Sequence, residues 1–250
     1  MARLLLYEMR STKSFNFGVT MNKKLSALLF GALALTSTAA FANTITFSSL
    51  GDVTNQQTSW TPANNFNLLF PQFNPAFGVL QSATFTLTGT TFGSITATAT
   101  SNTTLNSITV ATTIFLYEPG GSVLIVSTNP SMTQNFGPGG YALSNGQSYT
   151  LNTPGYVSPS SPGTGTTLAN SNTLAPSAFL IGTGSITAPL LANGNSGYSG
   201  GSNINTNAYS AASASGTVTY TYSTVPEPAT LLLMGIGVLG MGFAATRRKA

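Results

Sequence analysis

Two stretches of this chain alternate between apolar and hydroxyl-bearing residues. In Ser82–Thr88, Ala83, Phe85 and Leu87 fall on one face and Ser or Thr on the other; Gly216–Tyr222 alternates the same way. A period of two carried by β-branched and aromatic residues predicts half-buried β-strands. Ile108–Tyr117 and Ser122–Thr128 are more continuously apolar and predict a hairpin set deeper inside. Between them, Glu118-Pro119-Gly120-Gly121 supplies the fixed φ of Pro and the tolerance of Gly for positive φ that a turn needs. Further strands are expected at Thr44–Ser48, Gly93–Thr100, Ser148–Leu151 and Phe179–Leu190. No part of the body carries an apolar stripe at helical spacing. Many short strands with Gly- and Pro-rich turns predict an all-β, β-sandwich-like body. Thr153–Ser177 and Asn193–Asn207, rich in Gly, Ser, Asn and Thr, are expected as long surface loops.

The two ends break this pattern. Met21-Asn22-Lys23-Lys24 precedes a short apolar run over Leu25–Leu35, and Ala40-Phe41-Ala42 closes the segment. A basic start, a short apolar stretch and a small-residue A-x-A site describe a secretory signal helix over residues 21–42. Cleavage is expected after Ala42, leaving Asn43 as the first residue. Met1–Thr20 fit poorly ahead of such a signal and read as a start-site extension, with translation beginning at Met21; the alternative is a long basic leader region. At the other end, Ala229–Ala245 is a 17-residue run without charge. As a helix it measures about 25 Å, the short end of what crosses a hydrocarbon core. Arg247, Arg248 and Lys249 follow it and are expected to stay cytoplasmic. The secreted domain, residues 43–225, then lies outside, which is also what the N-terminal signal requires.

Charge sharpens the division. The chain has a formal net charge of +4 and a pI near 9.5, yet every Lys and Arg lies in the outer segments. Between Asn43 and Val225 the charged side chains are Asp52 and Glu118 alone. A body without cations has nothing to displace the counterions of a phosphate backbone, so nucleic acid is not an expected partner.

The tail carries a specific resemblance. Val225-Pro226-Glu227-Pro228-Ala229-Thr230, a Gly-containing apolar span and the terminal Arg-Arg-Lys resemble a PEP-CTERM sorting signal. Carried over, the motif residues are Pro226, Glu227 and Pro228, and the basic stop is Arg247, Arg248 and Lys249, within a tail over 226–250 whose transmembrane helix is 229–245. The resemblance implies an exosortase-type membrane protease as partner, after the signal peptidase and secretion machinery. It also implies transient anchoring in the inner membrane, then a cell-surface or extracellular location within an exopolysaccharide or biofilm matrix. The prolines keep the approach to the membrane extended, and Gly235, Gly237, Gly240 and Gly242 form a thin helix face suited to a partner helix. In the body, Phe73–Leu80, Gly182–Leu190 and the closing Thr217–Tyr222 strand resemble the choice-of-anchor E domain, which has no settled activity; Asn74 and Phe77 depart from the Asp and Leu usual there.

The body is poor in groups that could carry chemistry. Gly197-Tyr198-Ser199-Gly200-Gly201 fits the G-x-S-x-G pattern of hydrolases, but a serine nucleophile needs a base. The chain has no His and the body no Lys. Asp52 and Glu118 read as two solvated carboxylates rather than a glycosidase pair. Zinc and related metals lack His and Cys ligands altogether, and calcium wants a denser oxygen cage. No catalytic residue, metal site or cofactor is assigned. The expectation is a noncatalytic exported matrix protein; the alternative is a secreted carbohydrate-binding or ice-binding module, for which rows such as Thr96-Ala97-Thr98-Ala99-Thr100 offer regular hydroxyls.

Overall fold

The computed structural model describes residues 42–61 and 64–224. In chain order its strands are β1 (Ala42–Ser48), β2 (Val53–Gln57), β3 (Asn67–Pro71), β4 (Val79–Ala99), β5 (Thr103–Tyr117), β6 (Leu124–Thr128), β7 (Ser131–Asn135), β8 (Tyr141–Leu143), β9 (Ser148–Asn152), β10 (Thr166–Leu174), β11 (Ser185–Gly194), β12 (Gly197–Gly200) and β13 (Ile204–Ser223). The fold is all-β, in two sheets. The signal helix at 21–42, apart from Ala42, and the transmembrane helix at 229–245 lie outside the described residues. Among the described residues no helix is long and apolar enough to cross a membrane.

The first sheet is built on two long strands. β4 and β13 pair antiparallel from Ile204↔Ala99 to Ser223↔Val79. The far edge of β13 is lined by β1 and then β2, and the far edge of β4 by β10 and then β9. The second sheet has β5 as its spine. β6, β7 and β8 follow one another along one edge of β5, while β11 and β12 line the other, and β11 also pairs with β3. Every pairing between strands is antiparallel, so no helical crossover is required.

The predicted alternation is what fills the core. Ala83, Phe85 and Leu87 of β4 are fully buried, as are Val218 and Tyr220 of β13. They meet Leu68 and Phe70 of β3, Ile186 and Ala188 of β11, and Ile114 and Leu116 of β5. The Phe70 and Phe85 rings pack edge to face with centroids 5.3 Å apart, the geometry aromatic quadrupoles favour. A second apolar cluster holds Ile95, Ala97 and Ala99 of β4 with Leu105, Ile108 and Val110 of β5. Gly89 lets the sheets close together: a Cβ there would lie 2.6 Å from Thr128 Cγ2 and 2.7 Å from Ile114 Cδ1.

Several expectations need correction. The expected strands Ser82–Thr88 and Gly93–Thr100 join in a single strand, β4, which ends at Ala99. The expected strand over Phe179–Leu190 begins later, after a 3₁₀ turn at Ala178–Leu180, and runs from Ser185 to Gly194. The two expected loops both contain strand. Thr153–Ser177 includes β10, and Asn193–Asn207 includes the end of β11, β12 and the start of β13. The reason is the same in both. β10 is an edge strand with nearly every residue exposed, and β12 is largely exposed too, so neither needs alternating apolar residues. Backbone pairing to β4 and β5 holds them. By contrast the hairpin of β5 and β6 is as expected, with Glu118 N–H bonded to the Val123 carbonyl and Gly121 N–H to the Glu118 carbonyl.

Candidate functional site

The outward side of the first sheet is a grid of hydroxyls. Along β4 the outward residues from Ser82 to Thr90 are all Ser or Thr, and the facing residues of β13 from Thr221 to Ser213 are too. One row runs across four strands, Thr46↔Thr219↔Thr84↔Thr173. Neighbouring hydroxyls in such a sheet stand about 4.8 Å apart across strands and about 6.8 Å apart along them. Hydroxyl pairs at the flanks hydrogen-bond each other: Thr46 with Thr219 at 2.9 Å, Thr84 with Thr173 at 2.8 Å, Thr90 with Thr167 at 2.8 Å and Thr96 with Thr150 at 2.9 Å. Thr88 and Ser215 face one another across the central pair of strands. Among the described residues no side-chain hydrogen bond engages either of these two hydroxyls.

A depression of about 160 Å³ lies in the grid where Asp52 and β2 stand beside it. Asp52, Thr54, Thr88, Thr90, Ser213 and Ser215 contribute its polar lining. The carboxylate is held in place. Gly216 N–H donates to Ser49 Oγ at 2.8 Å, and the Ser49 hydroxyl donates to Asp52 Oδ1 at 2.7 Å. Ser49 is itself buried and its N–H donates to the Gly216 carbonyl. The turn after β1 therefore presents Asp52 from a fixed point on β13. On the other side of the depression Asn55 N–H donates to Ser213 Oγ at 2.8 Å, and Asn55 Nδ2 reaches the Pro159 carbonyl. Asn55 holds a φ of 46°, a left-handed conformation that Asn tolerates better than most residues.

The other predicted residues are dispersed. Glu118 lies in the turn between β5 and β6 and does not line the depression. Ser199 of the G-x-S-x-G pattern sits in β12, paired with Ser107 of β5, and not at a strand-to-helix elbow. Among the described residues no group of three or more His, Cys, Asp or Glu could hold a metal. Asn43 is in β1 opposite Tyr222, and Ala42 is opposite Ser223. Ala40, Pro226, Glu227, Pro228, Arg247, Arg248 and Lys249 lie outside the described residues. In the sequence Asp52 stands as an isolated carboxylate. Its companions come from β4 and β13, far away along the chain, and no spacing in the sequence announces them.

The family model for the PEP-CTERM protein-sorting motif matches residues 224–249. The chain therefore carries a PEP-CTERM sorting motif, in the span that holds Pro226-Glu227-Pro228 and the Arg-Arg-Lys cluster. It is an exported protein sorted by an exosortase-type membrane enzyme, anchored transiently in a membrane before reaching the cell surface or the exterior. No curated protein matches the chain. Among solved structures it is similar to the "Structure of infectious bursal disease virus Gx strain", at 14% identity over 73% of this chain and 33% of that one, with a TM-score of 0.19. It is also similar to "The 2.6A structure of Infectious Bursal Virus Derived T=1 Particles", at 14% identity over 73% of this chain and 32% of that one, with a TM-score of 0.19. The chain spans about a third of the length of these solved chains, and at such TM-scores the likeness carries no weight for fold or assembly.

Proposed function

We propose that this is a noncatalytic protein of the cell surface or extracellular matrix, with a β-sandwich body that associates with exopolysaccharide in a biofilm-like layer. One observation carries the reading: the sorting motif begins at residue 224, directly after β13 ends at Ser223. The whole described body thus stands ahead of the sorting tail as cargo. The composition of that cargo supports a noncatalytic role. General acid–base and nucleophilic mechanisms need groups with tunable pKa, and apart from tyrosines the body offers two separated carboxylates. The hydroxyl grid favours a second reading, a carbohydrate-binding or ice-binding module delivered by the same route.

Intact-mass measurement of the exported protein, with antibody localisation, tests the first reading. A mature chain starting at Asn43 and lacking Ala229–Ala250, found at the surface or in the matrix, is the expected result. A mass that retains Arg247–Lys249 on protein confined to the inner membrane overturns it. Thermal hysteresis by the exported protein would select the ice-binding version of the second reading.

A further inference from the structure

The geometry points to a binding site for an uncharged polyhydroxyl chain, a neutral glycan, on the outward side of the first sheet, with Asp52 as its anchor. The inference deepens the matrix reading and rests on it, by naming the surface and the chemical class of polysaccharide. Three features converge at the depression lined by Asp52, Thr88, Thr90, Ser213 and Ser215.

The first is an oriented acceptor. The hydrogen-bond chain from Gly216 N–H through the Ser49 hydroxyl to Asp52 Oδ1 commits one carboxylate oxygen and fixes the other. A fixed carboxylate oxygen accepts from O–H donors through charge-assisted hydrogen bonds, which are stronger than neutral ones. The second is a set of unspent hydroxyls beside it. Thr88 and Ser215 have no side-chain partner among the described residues. A hydroxyl both donates and accepts, so a pair of them complements other hydroxyls whatever their rotamers. The third is charge. The described residues contain no Lys, Arg or His, and Asp52 stands at the site itself. An anionic polymer would be repelled there with no cation to offset it, whereas a neutral polyol meets complementary donors and acceptors.

Size then separates a chain from a small molecule. Pockets that engulf a small ligand hold roughly 300–1,000 Å³. This one holds about 160 Å³ and opens onto the grid. It suits one ring of a polymer, while the neighbouring units lie along the rows of Ser and Thr on β4 and β13. The flank pairs such as Thr84 with Thr173 hold their side chains in register for that contact.

The test uses the full chain in detergent and isothermal titration with three probes: cellohexaose, maltohexaose and an alginate hexamer. At least one neutral hexasaccharide is expected to bind, with a dissociation constant on the order of 1 mM or below, and alginate is not. Asp52→Asn keeps an oxygen acceptor for Ser49 while removing the charge, and should weaken binding about tenfold. Thr88→Val with Ser215→Ala should weaken it about fivefold. Thr133→Val, on the second sheet, should leave it unchanged. Circular dichroism of each variant should match that of the parent. Neutral-glycan binding that survives Asp52→Asn combined with Thr88→Val and Ser215→Ala overturns the site while leaving the matrix reading intact. Tighter binding of alginate than of either neutral probe overturns the charge argument, and with it the site. Binding of no probe overturns the site, and surface localisation then decides the matrix reading separately.

Discussion

Thr91 and Thr112 hydrogen-bond through their hydroxyls at 2.8 Å across the interior, one from each sheet, and neither side chain has any exposed surface. They stand at the waist of the molecule. Along β4 the first apolar cluster ends at Leu87 and the second starts at Ile95; along β5 the second ends at Val110 and the first resumes at Ile114. The pair thus joins the sheets where hydrophobic packing changes hands.

Removing one member strands the other in an apolar interior. A buried hydroxyl left without its partner costs about 1–3 kcal/mol. Thr112→Val should therefore lower stability by that amount, read from the midpoint of denaturant unfolding at unchanged slope. The double variant Thr91→Val with Thr112→Val should recover most of the loss, since apolar groups of the same shape replace both partners. A double variant as unstable as the sum of the singles would show that the hydroxyls have other obligations.

The two sheets also meet along one side, at a seam of asparagines. Asn170 Nδ2 donates to the Ser127 carbonyl at 2.8 Å and Asn172 Nδ2 to the Ile125 carbonyl at 2.7 Å, while Thr128 Oγ1 donates to the Leu168 carbonyl at 3.0 Å. Side chains of β10 therefore occupy backbone acceptors of β6 that would otherwise be available to another strand. An uncharged open edge is a template for self-association. Asn170→Ala with Asn172→Ala should cost about 1–2 kcal/mol and raise the rate of aggregation, followed by light scattering during storage. Unchanged light scattering would show that the amides do not guard the edge.

Tyr220 supplies the pH dependence. Its ring is fully buried and its hydroxyl donates to the Pro71 carbonyl at 2.8 Å. Burial pushes the phenol above its ordinary value of 10.0. A group whose pKa is raised in the folded state stabilises it fully below the unfolded value, and that contribution is lost as pH rises toward the folded value. Stability should thus fall as pH is raised above 10, measured by thermal unfolding across the alkaline range. Tyr220→Phe should flatten part of that fall while lowering stability at neutral pH by about 1–2 kcal/mol, because the Pro71 carbonyl loses its donor.

Gly89 reports how closely the sheets pack. The two side-chain atoms with which an added Cβ would clash belong to β5 and β6 of the opposite sheet. Gly89→Ala should destabilise by about 1–3 kcal/mol through overpacking, and a second change that makes room, Ile114→Val, should return part of it. Unfolding midpoints of the single and double variants check this, and no recovery would place the clash at Thr128, the nearer of the two side chains.

Legibility followed burial. Ala83, Phe85, Leu87, Val218 and Tyr220 announced their strands because one side of each is in the core and the other in water, which writes a period of two into the chain. β10 and β12 leave no periodic trace in the sequence, because nearly all of their side chains are exposed and no alternation is needed to bury one face. The turn at Glu118–Gly121 was legible from Pro and Gly, whose backbone preferences are local. Asp52 was legible as a lone carboxylate, but its companionship with Thr88, Thr90, Ser213 and Ser215 was not.

By itself the sequence determined an all-β body, the confinement of cations to the outer segments and the sorting motif near the C-terminus. Each depends on local order: alternation, composition, or a contiguous run. Only the tertiary structure decided that β4 and β13 pair along their length, that their hydroxyls form one continuous grid, and that Asp52 is aimed at it by Ser49. Antiparallel pairing selects partners more than a hundred residues apart along the chain, and the register that lines them up follows from packing both sheets over one interior.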